Sequence, residues 1–491
     1  MAQEGESLLL KRAESIANEL LSISKEEEIL IVSHLDADGI AAGSILLHAL
    51  LDSGANPCLR IVKQLDVGTI EEVAKSSSDF VVFVDMGSGQ KTLLEKLRNK
   101  ENDKNKNKNK NKNKKIFIID HHQPEPPEME FEINPHMFGY NGSNDISASG
   151  TAYLVAKRMS STNPYISQLA IAGALGDLQD RGERASLVGL NKAIAAEAES
   201  KGLLKTKLGL KLYGFESRPL VHCLANTIEP YLPGLSGDEG ACLKFIKSLG
   251  IDPVKADGGW RSQADLSNNE LRTLLNGIIK YLISQGLSSK EAESVVGTLY
   301  IFPNEAPDSP LRDAREFASS INACGRLGKY GLGISICMGD RGQALEELKQ
   351  TLQEYRKTIS RYLNWIQTNN DSIKILPYVQ AINGGTVVDD RMIGTIISIT
   401  YSTKPFSLEK PIIGFAMSEN CIKVSARASQ NLVKKGVNLG TLIKEAAEKF
   451  GGTGGGHNIA AGGQIPIGQE EAFLQYLNEL ISKNIGEGHA H

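Results

Sequence analysis

The strongest constraint on this chain is the stretch from Ile29 to Ile40. An apolar run of strand length, Ile29-Leu30-Ile31-Val32-Ser33, ends in His34-Leu35-Asp36-Ala37-Asp38-Gly39. It passes straight into a helical pattern of Ile40, Ala41, Ala42, Ile45, Leu46 and Ala49. A short continuous apolar run, a turn and then a helix mark a buried strand in a parallel sheet. In open α/β sheets, sites form just beyond the carboxyl ends of the strands. His34, Asp36 and Asp38 therefore stand where chemistry is expected, and their alternate spacing puts them on one side of an extended segment. Two ionised carboxylates so close repel each other, and a divalent cation relieves that cost. An EF-hand loop does not fit. With Gly39 at its sixth position, Ile45 stands where the closing glutamate belongs.

The same design recurs. Phe80-Val81-Val82-Phe83-Val84 delivers Asp85, and Ile116-Phe117-Ile118-Ile119 delivers Asp120-His121-His122. Asp120 suits the role of a carboxylate that orients a neighbouring imidazole. A weaker strand is expected at Cys58 to Val62, and an amphipathic helix at residues 7–22. Ser147 resembles a helix cap ahead of Thr151 to Met159. A further helix, Ile166 to Leu175, leads into Gly176-Asp177-Leu178-Gln179-Asp180, which offers one or two more carboxylates.

At 491 residues the chain is long enough for two or three domains, and its net charge of -4 argues against a broad basic coat. Any nucleic-acid surface is then a local groove. The six cysteines lie far apart and form no C-x-x-C pair, which suggests neither a zinc ribbon nor a disulfide framework. The start is acidic and polar, unlike a signal peptide, and no apolar run reaches a membrane span. The cytoplasm is the simplest location. A lysine-asparagine run over residues 100–115 reads as a disordered surface loop, with a basic nucleic-acid arm as the sharper alternative.

Residues 1–185 are expected to form the first domain and 186–371 a helical middle with a linker helix. The segments Leu203 to Tyr213, Glu270 to Leu287 and Ser289 to Leu299 carry helical patterns, as does Arg341 to Asn370. Asn322-Ala323-Cys324-Gly325-Arg326-Leu327-Gly328 reads as a glycine-rich turn. Residues 372–485 form a smaller α/β domain, with strands at Ile373–Leu376, Lys410–Met417 and Cys421–Ser425 and a helix from Leu439 to Phe450. Its glycine cluster, Gly451 to Gly456 followed by His457, reads as a loop that lets backbone approach a phosphate. It lacks the Lys-Ser/Thr of a Walker loop.

Taken in order, HxDxDG, a strand ending in Asp, DHH and GALGD resemble the four motifs of the DHH phosphoesterase superfamily. The glycine-rich Gly454-Gly455-Gly456-His457 resembles the GGGH motif of the DHHA1 domain, and Ser425-Ala426-Arg427 fits ahead of it. Asn322 to Gly328 resembles the arginine motif of RecJ-type nucleases. The resemblance implies an α/β fold in which a parallel-sheet DHH domain joins a DHHA1 domain through a helical region. It implies two divalent cations, manganese preferred and magnesium possible. One would take His34, Asp36 and Asp85, the other Asp38, Asp85, His121 and Asp177, with His34 the variable position. Asp120 would support the imidazoles, Asp180 is an outside candidate for the role of Asp177, and His122 would contact the scissile phosphate. Arg326, Ser425 and Arg427 would grip a terminal phosphate, and Gly454, Gly455, Gly456 and His457 a neighbouring phosphate or base.

The activity so implied is exonucleolytic hydrolysis of single-stranded DNA or RNA, as in the archaeal RecJ-like group, in DNA replication or repair. A nano-RNA or pAp phosphatase is the alternative within the superfamily. Relatives with decayed metal sites serve as replication scaffolds bound to GINS and the replicative helicase, which makes a non-enzymatic partner role the alternative outside catalysis. The OB-fold extension of bacterial RecJ is not evident.

Overall fold

The computed structural model describes residues 2–98, 114–159, 163–216, 218–227, 232–401 and 405–487. The chain divides into two compact units, Met1–Cys223 with Cys242–Leu352, and Leu224–Ala241 with Gln353–His491.

The first unit is built on a five-stranded parallel sheet. Its strands are β1 (Glu28–His34), β2 (Asn56–Val62), β3 (Phe80–Val84), β4 (Lys115–Ile119) and β5 (Glu132–Ile133), in the order β2-β1-β3-β4-β5. β1, β3 and β4 are adjacent, and their apolar runs are buried, as strands covered on both faces require. Register decides what their ends can do. Ser33 pairs with Val84, and Val84 with Ile119, so the next residues, His34, Asp85 and Asp120, leave the sheet side by side. Three separate stretches of sequence thereby converge on one edge of the sheet.

The expected helix at residues 7–22 runs from Ala2 to Leu21, and the helix after β1 spans Ala37–Asp52. Ser147 is indeed a cap: its Oγ accepts from Gly150 N at 3.1 Å, and the helix it starts is Ala148–Arg158. Of the lysine-asparagine run, residues 100–113 lie outside the described residues. Its end is ordered strand: Lys115 opens β4, and Lys114 is buried with Nζ donating to Ser76 O at 3.0 Å.

The middle of the chain departs from the helical expectation in two places. Residues Lys205–Leu210 form β6 and Val296–Ile301 form β7, an antiparallel pair. Their leucine spacing fits either period, and pairing over about 90 residues of sequence decides for the strand. Of the expected helix Ser289 to Leu299 only Ser289–Glu293 is helical. Glu270 to Leu287 holds as the helix Asn268–Ser284. The expected turn at Asn322–Gly328 is instead the end of the helix Ala314–Arg326. The helix Gln343–Thr368 carries the boundary between the units.

The second unit holds a six-stranded mixed sheet. Its strands are β8 (Ile373–Ile375), β9 (Gln380–Asn383), β10 (Ile412–Met417), β11 (Ile422–Arg427), β12 (Thr453–Gly456) and β13 (Ala460–Ile465), ordered β12-β13-β11-β10-β9-β8. The core packs Val424, Phe415 and Ile465 against Ile443 and Ala446 of the helix Leu439–Lys449 and against Phe473 and Leu477. The glycine cluster is a correction: Gly454–Gly456 are edge strand β12, paired to β13, not a loop.

Candidate functional site

The loop after β1 is shaped by its own side chains. Asp36 caps the helix Ala37–Asp52, its Oδ1 accepting from Gly39 N at 3.0 Å. Its Oδ2 lies 2.8 Å from His34 Nδ1. Asp38, one residue into the helix, is buried, and its carboxylate accepts from Ala148 N at 2.7 Å and Ser149 N at 3.0 Å. These are the open N–H groups at the start of a helix, where an anion is stabilised. The helix Ile166–Gly176 lies close behind: a Cβ on Gly173 would fall 2.1 Å from Ser149 Oγ and 2.5 Å from Asp38 Oδ1.

Asp85 follows β3 with φ +60°, a left-handed conformation that aspartate tolerates better than most residues. Its Oδ2 is 3.6 Å from His34 Nδ1, and its Oδ1 is 3.2 Å from His121 Nε2. His121 Nε2 also lies 3.5 Å from Asp177 Oδ2 and 3.8 Å from Asp38 Oδ2. The ring is fixed from behind, its Nδ1 donating to Gly142 O at 2.7 Å. That arrangement turns Nε2 to the carboxylates, the usual way a ligating histidine is oriented. Asp120 is fully buried: Oδ1 accepts from His121 N (2.7 Å), His122 N (3.1 Å) and His122 Nδ1 (2.9 Å), and Oδ2 from Ser88 N (2.9 Å).

Electrostatics mark the cluster as a place for cations. Burial disfavours charge on His34, but Asp36 and Asp85 outweigh it and raise its pKa to about 10. Burial and then the Asp85 charge push Asp38 up to about 6. Burial and the Asp38 charge push Asp177 well above the usual carboxylate range. Burial also acts on Asp36, yet His34, the Gly39 N–H and Arg326 hold it below that range. Protons thus occupy sites that carboxylates crowd. No hydrogen bond of acceptable geometry reaches the buried Oδ1 of Asp85. An orphaned carboxylate oxygen facing an imidazole nitrogen fits a divalent ion, and His34-Asp36-Asp85 and Asp38-His121-Asp177 each bring their ligand atoms within 4.8 Å of one another.

The outside candidate for the role of Asp177 has a partner of its own. Asp180 Oδ2 lies 2.5 Å from Arg315 NH1, an ion pair that holds the loop after Asp177 and keeps Asp180 out of the cluster. Arg326 ends its helix close enough for its charge to act on Asp36. Residues the motifs did not single out complete the support. Gln179 Nε2 donates to Gly142 O at 2.8 Å, and Asn191 Nδ2 to Gln179 Oε1 at 2.6 Å. Asn322 Oδ1 accepts from Ala37 N at 2.9 Å. Asn322 lies in the segment that resembles the arginine motif; a buried amide leaves no mark in hydrophobic periodicity, so no sequence feature assigned Gln179 or Asn191 a role.

In the second unit, Ser425 and Arg427 alternate along β11 and share a face. Arg427 Nε donates to Ser398 Oγ at 2.9 Å, on the helix Ile393–Thr400. Gly462 of β13 pairs with Ser425 on one side and with Gly455 on the other. Packing accounts for two of the glycines: a Cβ on Gly454 would lie 2.8 Å from Ile443 O, and one on Gly456 2.7 Å from Ala460 O. Gly455 has open space there, and His457 N closes the following turn on Ala460 O at 2.8 Å.

The profile of the DHH family N-terminal domain matches residues 28–176, that of the DHH-CID domain residues 212–296, and that of the DHHA1 domain residues 380–483. An uncharacterized protein of Methanocaldococcus jannaschii is 31% identical over 466 residues, covering 93% of this chain and 94% of that protein. The chain belongs to the DHH/DHHA1 superfamily. The manganese complex of RecJ from Thermus thermophilus superposes on this DHH chain with a TM-score of 0.55 at 17% identity. It covers 97% of this chain and 55% of the RecJ chain, so this DHH protein spans about half the length of that relative. Cdc45 from Entamoeba histolytica superposes with a TM-score of 0.58 at 12% identity, covering 98% of this chain and 99% of Cdc45. At these identities the likeness is one of fold. Among the described residues, no helix is long and apolar enough to cross a membrane.

Proposed function

We propose that this DHH protein is a metal-dependent phosphodiesterase that removes nucleotides from an end of single-stranded DNA or RNA. The observation that carries the reading is the place of Asp85. Its two oxygens face His34 on one side and His121 on the other, as a carboxylate shared by two cations would. His34, Asp36 and Asp85 would hold one ion, and Asp38, Asp85, His121 and Asp177 the other. Mixed imidazole and carboxylate ligands favour manganese, with magnesium as the poorer fit. When bound, such a pair supplies an acidified water and neutralises charge on the attacked phosphate.

The chain's own residues do the rest. With its Nδ1–H on Asp120, whose charge outweighs burial and raises the His122 pKa, a protonated His122 presents Nε2–H as donor to an oxygen of the scissile phosphate. Arg326 brings a fixed cation beside Asp36. Arg427 with Ser425 suits a terminal phosphate, because a guanidinium fork can bind two phosphate oxygens. Gly455, with open space above its Cα, suits close approach of a neighbouring phosphate or base, with His457 next to it. RecJ, an exonuclease whose solved structures hold manganese, shares this fold, which agrees with this reading.

A second reading has its own support. The fold likeness to Cdc45 extends over nearly all of both chains, and a DHH-CID match lies in the middle of this one. A replication-scaffold role, with GINS or a replicative helicase as partner, follows from that likeness. A product ladder separates the readings. The protein with manganese is given one strand as DNA and as RNA, labelled at either end, beside pAp and a dinucleotide, with Asp36→Ala in parallel. Stepwise mononucleotide release that Asp36→Ala abolishes establishes the exonuclease and its polarity. Cleavage of pAp and the shortest oligomers alone makes it a nano-RNA phosphatase. No hydrolysis by the unmodified protein leaves the scaffold.

A further inference from the structure

Behind His122 lies a buried ionic network that meets the candidate ligands only through Asp120, which also accepts from His121 N. Glu132 of β5 is fully buried, and Lys91, at the start of the helix Lys91–Arg98, is buried beside it with Nζ 2.8 Å from Glu132 Oε2. Oε2 also accepts from Met129 N at 3.0 Å, and Oε1 accepts from Ser88 Oγ at 2.8 Å. Asn134 Nδ2 donates to Ser88 Oγ at 2.9 Å and to His122 O at 2.8 Å. Ser88 N donates to Asp120 Oδ2, whose other oxygen takes the Nδ1 of His122. Side-chain hydrogen bonds therefore run from Glu132 through the Ser88 hydroxyl and Asn134 to the backbone carbonyl of His122, while the Ser88 backbone N–H holds Asp120 from the same residue.

A buried ion pair is poor value as a stabiliser, since apolar residues of the same volume do as well or better. Its use here is directional. An ionised carboxylate can only accept. It fixes the hydroxyl hydrogen of Ser88 towards Glu132 and leaves the Ser88 oxygen to accept from Asn134. A neutral Glu132 could donate instead, and the order of the chain would be lost.

We infer that the Lys91–Glu132 pair is a positioning device that holds His122, through the Ser88 hydroxyl and Asn134, where it meets the scissile phosphate. Lys91 and Glu132 are positioning residues and touch no substrate. The inference rests on the phosphodiesterase reading above for what His122 does.

The test uses the full-length protein with Glu132→Gln, and with the paired change Lys91→Met/Glu132→Gln, which leaves no lone buried charge if a single change fails to fold. At saturating manganese, kcat falls about 10–100-fold, as for other lost outer partners of active-site histidines. KM and manganese affinity, read by electron paramagnetic resonance, stay within about twofold. Ser88→Ala gives a similar loss, and its combination with Glu132→Gln is no worse than either alone, because both cut one chain. The imidazole resonances of His122, followed by long-range proton–nitrogen correlation at pH 9, move from their parent positions while the Nδ1–H tautomer set by Asp120 is kept. An unchanged kcat in folded variants overturns the inference, as does a loss that follows manganese affinity. If the unmodified protein cleaves no phosphodiester, the functional reading fails by itself. The His122 spectrum then still decides the positioning, and an identical spectrum in the variants overturns it.

Discussion

The Nε2 of His121 lies 3.2 Å from Oδ1 of Asp85, a carboxylate held at φ +60° just past the end of β3. A left-handed aspartate costs about 1–2 kcal/mol, and such strain persists where surrounding structure demands it. Asparagine tolerates the same backbone, so Asp85→Asn isolates the charge. It is expected to lower turnover at least about 1000-fold and to abolish tight binding of manganese, measured by initial rates and calorimetric titration. Without metal the same variant is expected to be more stable than the parent in urea, by about 1 kcal/mol, because one of the crowded carboxylates is gone. A metal-free Asp85→Asn protein less stable than the parent would remove the crowding argument.

The crowding has a pH signature. The pKa of Asp38 rises from 3.8 to about 6, and that of His34 from 6.5 to about 10. Both are raised in the folded protein. Each therefore contributes stability in full below its unfolded value and loses it as pH climbs through the folded one: from about 4 to 6 for Asp38, and from about 6.5 to 10 for His34. The metal-free protein should be less stable at pH 9 than at pH 5 by about 3 kcal/mol, allowing for the partial exposure of His34. Manganese replaces the protons, so its affinity should rise over the same range. Urea midpoints at both pH values, in chelator and in manganese, check this. A metal-free protein that gains stability from pH 5 to pH 9 contradicts it.

Legibility in the sequence followed the strands. Each long apolar run that ended in Asp or His proved to be a central strand, and register brought those ends together. Non-local pairing was not legible: the leucine spacing around Lys205–Leu210 fits either period, and only Val296–Ile301 beside it makes it a strand. Glycines misled in the opposite sense. At Asn322–Gly328 and Gly454–Gly456 they suggested turns, yet they permit close packing of a helix and of an edge strand. Asp180 stands in the sequence as an outside candidate beside Asp177, and its partner Arg315 is too distant in sequence to be foreseen. Lys91, Glu132, Gln179 and Asn191 are buried polar residues whose partners come from elsewhere in the chain, and no periodicity marks them.

Arg427 offers a test of the second unit. Its Nε is already committed to Ser398 Oγ and its NH1 to Ala426 O, so the guanidinium plane is held in one orientation. Lysine keeps the charge and loses the plane. Arg427→Lys is expected to raise KM about tenfold for a strand bearing a terminal phosphate and to leave KM for the unphosphorylated strand unchanged, at constant kcat. The loss corresponds to about 1.4 kcal/mol, one charge-assisted hydrogen bond. Equal losses on both strands would mean that Arg427 does not read the terminal phosphate.

The helix Ala314–Arg326 bears directly on the segment that carries the metal candidates. A Cβ on Gly325 would lie 1.8 Å from Leu35 O, the carbonyl between His34 and Asp36. Three residues earlier, on the same face of the helix, Asn322 takes the Ala37 N–H that begins the next helix. Arg326 then follows with its charge on Asp36. One helix turn thus sets the backbone on both sides of Asp36 and places a cation beside it. Gly325→Ala cannot be accommodated without moving that turn, and should cost about 3 kcal/mol. Asn322→Ala leaves one buried N–H unpaired and should cost about 1–2 kcal/mol. If the turn positions Asp36, manganese affinity should fall in the same order, Gly325→Ala more than Asn322→Ala, when titrated at temperatures where both variants remain folded. A folded Gly325→Ala protein that binds manganese as the parent does would show that Asp36 is held by its own helix cap alone.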